Sequence, residues 1–363
     1  MPHILILNAG SSSLKFAVYE GLAPRLKGQV SGIGSTPRLE IDGHKPREVA
    51  EVVTAADALL VAARWLAGNG HEPASFDGIG HRIVHGGTRY VSPVIVDDAI
   101  QTDLDRLRSL APLHLPFGLG VLREMRRIAP GVPSVACFDT AFHATQPDLA
   151  TRLPIPRAYF DKGYRRYGFH GLNYEHVVQA LPQLTGKPLP RRLLAAHLGS
   201  GASMCAILDG KSVATTMGFS TADGLVMGTR SGSIDPGVLV ALMRDEHLSL
   251  EQLEDLLYRK SGLLGLSGIS PDMRVLLASG QPEAAEAIEH YCYSAARHAA
   301  ALVVAMGGCD AIAFTGGVGE NAGPVRTRIM GHLKWLGIAS DQMHVVAANE
   351  EATIARGVMS LTS

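Results

Sequence analysis

Ile4-Leu-Ile-Leu-Asn8-Ala-Gly10-Ser-Ser-Ser13-Leu-Lys15-Phe-Ala-Val-Tyr19 reads as two short apolar strands, residues 4–8 and 14–19, joined by a loop of glycine and serine. The same grammar returns far along the chain. Residues 193–198 form an apolar run, Gly199-Ser200-Gly201 a loop, and residues 202–208 a partner strand. Asp209-Gly210 then turns into a further strand at 212–217. A strand, a small-residue loop and a strand, met twice, point to an internal duplication and two related domains rather than a short-period solenoid.

The surrounding segments alternate in type. Residues 50–68 have helical spacing, with Val53, Leu60 and Ala67 on one side. Residues 76–84 and 132–138 read as strands, and 98–110 and 118–128 as helices. In the second half, 250–258 and 284–305 read as helices, 310–315 as a strand and 324–336 as the helix after it. Such alternation predicts an α/β protein built of two layered domains.

Composition narrows the function. The chain has 363 residues, 46% hydrophobic and 18% charged, which suits a folded globular protein. Lys plus Arg is 33 against 34 Asp plus Glu, so no basic excess points to nucleic acid or anionic lipid as the main partner. The cysteines, Cys137, Cys205, Cys292 and Cys309, stand apart, with no CxxC pair to suggest zinc or a disulfide framework. They read as reduced thiols of a cytoplasmic protein. The N-terminus has no signal-peptide character, and no run reaches the roughly 18 apolar residues of a membrane span.

Three glycine-rich turns follow apolar strands: Asn8 to Ser13, His197-Leu-Gly199-Ser-Gly201, and Thr315-Gly-Gly317-Val-Gly319-Glu-Asn321. Small residues there let backbone N–H groups and hydroxyls converge on an anion, and Lys15 adds a cation just past the first. The chain has neither a GxxxxGK[ST] P-loop nor a GxGxxG dinucleotide fingerprint.

Asn8-Ala-Gly-Ser-Ser-Ser-Leu-Lys15 resembles the first signature of acetate kinases, and His197-Leu-Gly-Ser-Gly-Ala-Ser203 is similar to their second. Further matches follow in family order: Gly80-His-Arg-Ile-Val-His-Gly-Gly87, Phe138-Asp-Thr-Ala-Phe-His143, Arg166-Tyr-Gly-Phe-His-Gly171, Met227-Gly-Thr-Arg-Ser-Gly232 and Phe314-Thr-Gly-Gly-Val-Gly-Glu-Asn321. The likeness covers essentially the whole chain. It implies two duplicated actin-like (ribonuclease H-like) domains with the nucleotide in the cleft between them. Residues 1–140 with a returning 350–363 would form the first domain and 141–349 the second. It also implies Mg2+-dependent, direct in-line transfer of the ATP γ-phosphoryl group to a short carboxylate, acetate first. Mn2+ would be able to replace Mg2+, and the chain would be a homodimer.

Phosphoryl transfer asks for cations and hydrogen-bond donors rather than a protein nucleophile, because its loose transition state spreads negative charge over oxygens. By resemblance, Arg82 and Arg230 are the carboxylate and phosphoryl clamps, suited by their planar forks. His170 is the histidine that donates to the transferring group, and Asp139 the carboxylate near metal or substrate. Lys15, Ser13, His197, Gly199 and Gly201 fall to the phosphates, and Asp272 and Arg274 bracket the adenosine. Gly317, Gly319 and Asn321 belong to a loop closing on the nucleotide. Asn8 and a glutamate of the pair Glu350 and Glu351 are the metal-linked groups. Val84, Leu113 and Phe169 line the acyl pocket, while His81 and His85 support the Arg82 strand.

The chain departs from the family's usual runs at Leu115, at Leu172, Asn173 and Tyr174, at Ser200, at Thr221 and at Ser233. Several of these lie around the acyl pocket and leave the carboxylate open between acetate, propionate, butyrate and another small acid. A nucleotide-binding regulator without turnover is the reading from another class. Retention of Arg82, Asp139, His170 and Arg230 argues against it.

Overall fold

The computed structural model describes residues 1–362. The chain divides into two compact units, one running Met1–Ala141 and rejoined by the segment from Asn349, the other Phe142–Ala348. The first unit carries β1 (His3–Ala9), β2 (Ser13–Glu20), β3 (Ala23–Ser31), β4 (Arg38–Ile41), β5 (Arg47–Glu48), β6 (Gly78–Ile83), β7 (Val94–Ile95) and β8 (Ser134–Phe138). They form one sheet in the order β5-β4-β3-β2-β1-β6-β8-β7. The second carries β9 (Arg192–Leu198), β10 (Ala202–Leu208), β11 (Lys211–Thr215), β12 (Ala311–Thr315) and β13 (Met343–Val345), ordered β11-β10-β9-β12-β13.

The two sheets repeat one plan. In β3-β2-β1-β6-β8 and in β11-β10-β9-β12-β13, the first two pairings are antiparallel and the last two parallel. The duplication seen in the two hairpins therefore extends to five strands per unit.

β1 reads as an uninterrupted apolar run because helices cover both of its faces. Leu5 and Leu7 join Ala58, Leu59 and Ala62 of helix Ala55–Ala67 and Val121 and Met125 of helix Leu115–Ile128 in one core. On the other face lies the C-terminal helix Glu350–Thr362. Gly78 and Gly80 make room for it: a Cβ on Gly78 would strike Val358, and one on Gly80 would strike Ile354, Ile6 and Val358.

Two elements differ from the sequence reading. The helix expected from residue 50 begins at Ala55, because Thr54 and Asp57 close a capping box ahead of it. Val53 lies outside it and is 72% exposed, and Leu60 points outward at 39%. The buried stripe is Ala55, Ala58, Leu59, Ala62, Ala63 and Leu66, whose three- and four-residue spacing is denser than the seven-residue repeat of the expected one. The third glycine turn is not a loop but the short helix Gly316–Asn321. Arg326 donates from Nη1 to the carbonyls of Gly319 and Glu320 at 2.8 and 2.9 Å and so satisfies its last turn. Among the described residues no helix is long and apolar enough to cross a membrane.

Candidate active site

Strand register assembles the first unit's polar group. Leu7 lies opposite His81 in the parallel β1–β6 pair, so one step further Asn8 faces Arg82. Arg82 lies opposite Cys137 on β8, and Asp139, two residues on, shares its face. Three motifs, 57 to 74 residues apart, thus form one row. Arg82 donates from Nε to both Asp139 carboxylate oxygens at 3.0 and 3.1 Å, from Nη2 to Oδ2 at 2.6 Å, and from Nη1 to Asn8 Oδ1 at 3.1 Å.

The C-terminal helix completes the row, its first-turn Glu350 and Glu351 accepting from Asn8 Nδ2 at 3.0 and 3.4 Å. Glu350 Oε2 also lies 3.5 Å from Arg82 Nε. Burial works against the Arg82 charge, but Asp139, Glu350 and Glu351 outweigh it and hold the guanidinium pKa above its ordinary value. Burial pushes the Asp139 carboxyl up to about 6, with Arg82 pulling the other way and Glu350 adding to the rise.

Among the described residues no group of three or more His, Cys, Asp or Glu is arranged to hold a metal. Glu350 and Glu351 offer two carboxylates, hard oxygen donors, steered by the Asn8 amide, whose own oxygen accepts from Arg82. That fits Mg2+, which takes few protein ligands and keeps waters and phosphate oxygens.

The second unit has an equivalent row. His197, next to last in β9 as Asn8 is in β1, faces Ser203 on β10 and Thr315 on β12. Above it stands helix Gly171–Thr185, preceded by His170 in the left-handed region at φ 59°. That conformation is uncommon for a side-chain-bearing residue. The His170 and His197 rings stack with centroids 4.1 Å apart and planes 13° from parallel.

Arg230 reaches the same place from a turn. Its Nη1 donates to the Thr221 carbonyl at 3.1 Å, and burial lowers its pKa, with Tyr258 opposing. A Cβ on Gly201 would lie 3.5 Å from His170 Nε2 and 3.6 Å from Arg230 Nη1, so both side chains border this loop. Met227 N–H donates to the Arg230 carbonyl, and Gly262, at φ 63°, packs its backbone against both residues. Thr229 Oγ1 donates to the Tyr258 carbonyl at 2.8 Å, tying the turn to the π-helical stretch Leu256–Lys260.

The remaining residues are distributed as follows. Ser13 opens β2, and its carbonyl accepts from Gly10 N–H at 2.8 Å, which closes the first loop; Lys15 is exposed. Gly199 abuts the Gly317 backbone, and Gly316 presses on the Leu198 carbonyl, so the second and third glycine segments adjoin. Gly319 lies under Arg326, and Asn321 donates back to the Gly317 carbonyl at 2.9 Å. Asp272 and Arg274 pair with each other at 2.6 Å, Asp272 also capping helix Met273–Ala278. Val84 is buried and Leu113 half-buried in the first unit, and Phe169 is buried in the second. His85 accepts from Gly87 N–H at 2.9 Å, while neither ring nitrogen of the buried His81 has a hydrogen-bond partner. Sequence reasoning singled out neither Ser203 nor Thr315; the signal that finds them is their register with His197.

A doubled five-stranded plan, with glycine segments, imidazoles and guanidinium groups gathered at strand ends, defines the class: a duplicated actin-like α/β protein equipped for anionic substrates. The family model described as "Acetokinase family" matches residues 3–360. The chain is 44% identical over 350 residues to an acetate kinase of Rhodopseudomonas palustris, covering 93% of this chain and 88% of that protein. Among solved structures it is similar to a propionate kinase from Francisella tularensis (TM-score 0.91, 32% identity, 99% of this chain and 100% of that one). It is also similar to Porphyromonas gingivalis acetate kinase (TM-score 0.90, 31% identity, all of both chains). The chain belongs to the acetokinase family and is a phosphotransferase of the kind that uses a carboxyl group as acceptor.

Proposed function

We propose that the chain catalyses reversible, Mg2+-dependent transfer of the ATP γ-phosphoryl group to a short carboxylate, acetate first, giving acyl phosphate and ADP. The observation that carries this reading is the pairing of His170 Nε2 and Arg230 Nη1 at the Gly201 loop. One imidazole and one guanidinium are held where backbone can approach a phosphate closely. The nucleophile is the substrate's own carboxylate oxygen, so direct in-line transfer needs no covalent enzyme intermediate. Arg82, anchored by Asp139, orients that carboxylate and offsets its charge. Mg2+ held by Glu350 and Glu351, with Asn8 linked to the metal through both carboxylates, would neutralise the β- and γ-phosphates. Lys15 and the glycine loops add contacts to the phosphates, and Asp272 and Arg274 flank the nucleoside.

Similarity to both a propionate kinase and an acetate kinase, at nearly equal TM-scores, keeps propionate as the second reading. Thr221, one of the chain's departures, supplies through its backbone the carbonyl that holds Arg230. An acyl-hydroxamate assay with ATP and Mg2+ across acetate, propionate and butyrate should give the highest kcat/KM with acetate. No acyl phosphate from any of them would refute the reading. Excess EDTA should abolish turnover and Mg2+ or Mn2+ restore it; full activity in EDTA would remove the metal. A γ-phosphorothioate chiral at phosphorus should transfer with inversion, and retention would exclude a single in-line step. We also expect a homodimer, which sedimentation velocity would test.

A further inference from the structure

Asn173 and Tyr174 stand side by side, both fully buried, where the family's usual run differs. Each reaches one of the two stacked histidines. Asn173 Nδ2 donates to His197 Nδ1 at 2.9 Å and to Thr315 Oγ1 at 3.1 Å. An imidazole nitrogen that accepts carries no proton, so His197 bears its single N–H on Nε2.

Tyr174 acts through Ser203. Among the described residues its buried phenol has one hydrogen-bond partner, Ser203 Oγ at 2.5 Å. Burial keeps the phenol protonated, with its pKa well above the ordinary value. A buried hydroxyl proton needs an acceptor, so the phenol donates to Ser203 Oγ. Ser203 is equally buried and has only the phenol and His170 Nδ1 as partners among the described residues, so its own proton goes to His170 Nδ1 at 2.9 Å. The polarity of this chain, from Tyr174 to Ser203 to His170, follows from giving each of two buried hydroxyl protons an acceptor. His170 therefore also bears its N–H on Nε2, the nitrogen that borders Gly201 beside Arg230.

We propose that Asn173 and Tyr174 are positioning residues that hold His197 and His170 as neutral Nε2–H tautomers, two donors presented to the phosphoryl group. This rests on the function proposed above. A neutral donor needs no desolvation of charge and gives the transferring oxygens a hydrogen bond that strengthens as their charge builds. Asn173→Asp replaces the donor with an acceptor and should move the His197 proton to Nδ1. Tyr174→Phe removes only the hydroxyl and frees Ser203 to accept from His170.

The test is long-range 1H–15N NMR on the full-length protein with 15N-labelled imidazoles, assigned by loss of signals in His170→Gln and His197→Gln. Wild type should show both residues protonated on Nε2. Asn173→Asp should convert His197, and Tyr174→Phe should give His170 a mixture of tautomers. Each variant should lose roughly ten- to a hundredfold in kcat with KM for ATP within about twofold. Near-wild-type melting separates this from misfolding; if Asn173→Asp does not fold, Tyr174→Phe decides alone. Wild-type His170 or His197 protonated on Nδ1 overturns the proposal, as do tautomers indifferent to the substitutions. Converted tautomers with unchanged kcat overturn the positioning role while leaving the kinase reading in place. Wild type without kinase activity on any carboxylate fails the functional reading instead and would be seen before any variant is made.

Discussion

Arg82 and Arg230 are both guanidinium groups in small-residue motifs, yet their surroundings differ. Arg82 is locked into Asp139, whose side chain is 1% exposed, whereas Arg230 is steadied by a neutral carbonyl. Their substitutions should therefore fail in different ways. Arg230→Ala should fold normally and lose about a hundredfold or more in kcat, with a smaller rise in KM for ATP. Arg230→Lys keeps the charge without the planar fork and should also fail badly. Kinetics and thermal melting on one preparation decide the matter: a well-folded Arg230→Ala with near-wild-type kcat removes it from the machinery. Arg82→Leu leaves a buried carboxylate without its partner and should cost stability as well as turnover, on the order of 3 kcal/mol. Adding Asp139→Leu should recover much of that stability and none of the activity. Equal or additive destabilisation in urea titrations would show that the pair is not coupled.

Glycines set how closely elements meet, and this is where motif reading fell short. Gly78 and Gly80 occur two residues apart on β6, so they share the Arg82 face and let the C-terminal helix settle there, delivering Glu350 and Glu351 to Asn8. Gly80→Val should force that helix outward. We expect a loss of about 2 kcal/mol or more in stability and a rise in the Mg2+ concentration needed for half-maximal rate. Unchanged metal dependence in a folded Gly80→Val would mean that the helix does not deliver those glutamates. The Gly316–Asn321 segment carries the same lesson. Its composition reads as a turn, but Arg326, five residues past its end, caps its carbonyls and makes it helical. A tertiary partner supplied what local propensity lacked.

Among the described residues, burial leaves His81, His85 and His143 hardest to protonate. Neutral forms are favoured at His81, with its pKa lowered to about 3, and at His85 and His143, each lowered to about 4. In the unfolded chain they would protonate near 6.5. As pH falls below 6.5 the unfolded state takes up protons that the fold refuses, and stability drops, by about 2 kcal/mol per residue at pH 5. Asp139 works the other way, since its raised pKa, about 6, relieves the fold as it protonates. One carboxyl offsets about one histidine, so the net trend is a loss. Urea unfolding free energies should fall by several kcal/mol between pH 7 and pH 5; a flat or rising profile would show that these histidines are solvated. The sequence by itself determined the α/β class and the repeated hairpin, because apolar runs and small-residue turns are local signals that survive without neighbours. It also carried each motif and so the family. Only tertiary structure decided which motif residues meet. Register places Arg82 between Asn8 and Asp139 and places His197 between Ser203 and Thr315, and neither set is contiguous in the chain. The proton direction in Tyr174, Ser203 and His170 was beyond any sequence signal, because burial of two hydroxyls that meet only in the fold sets it.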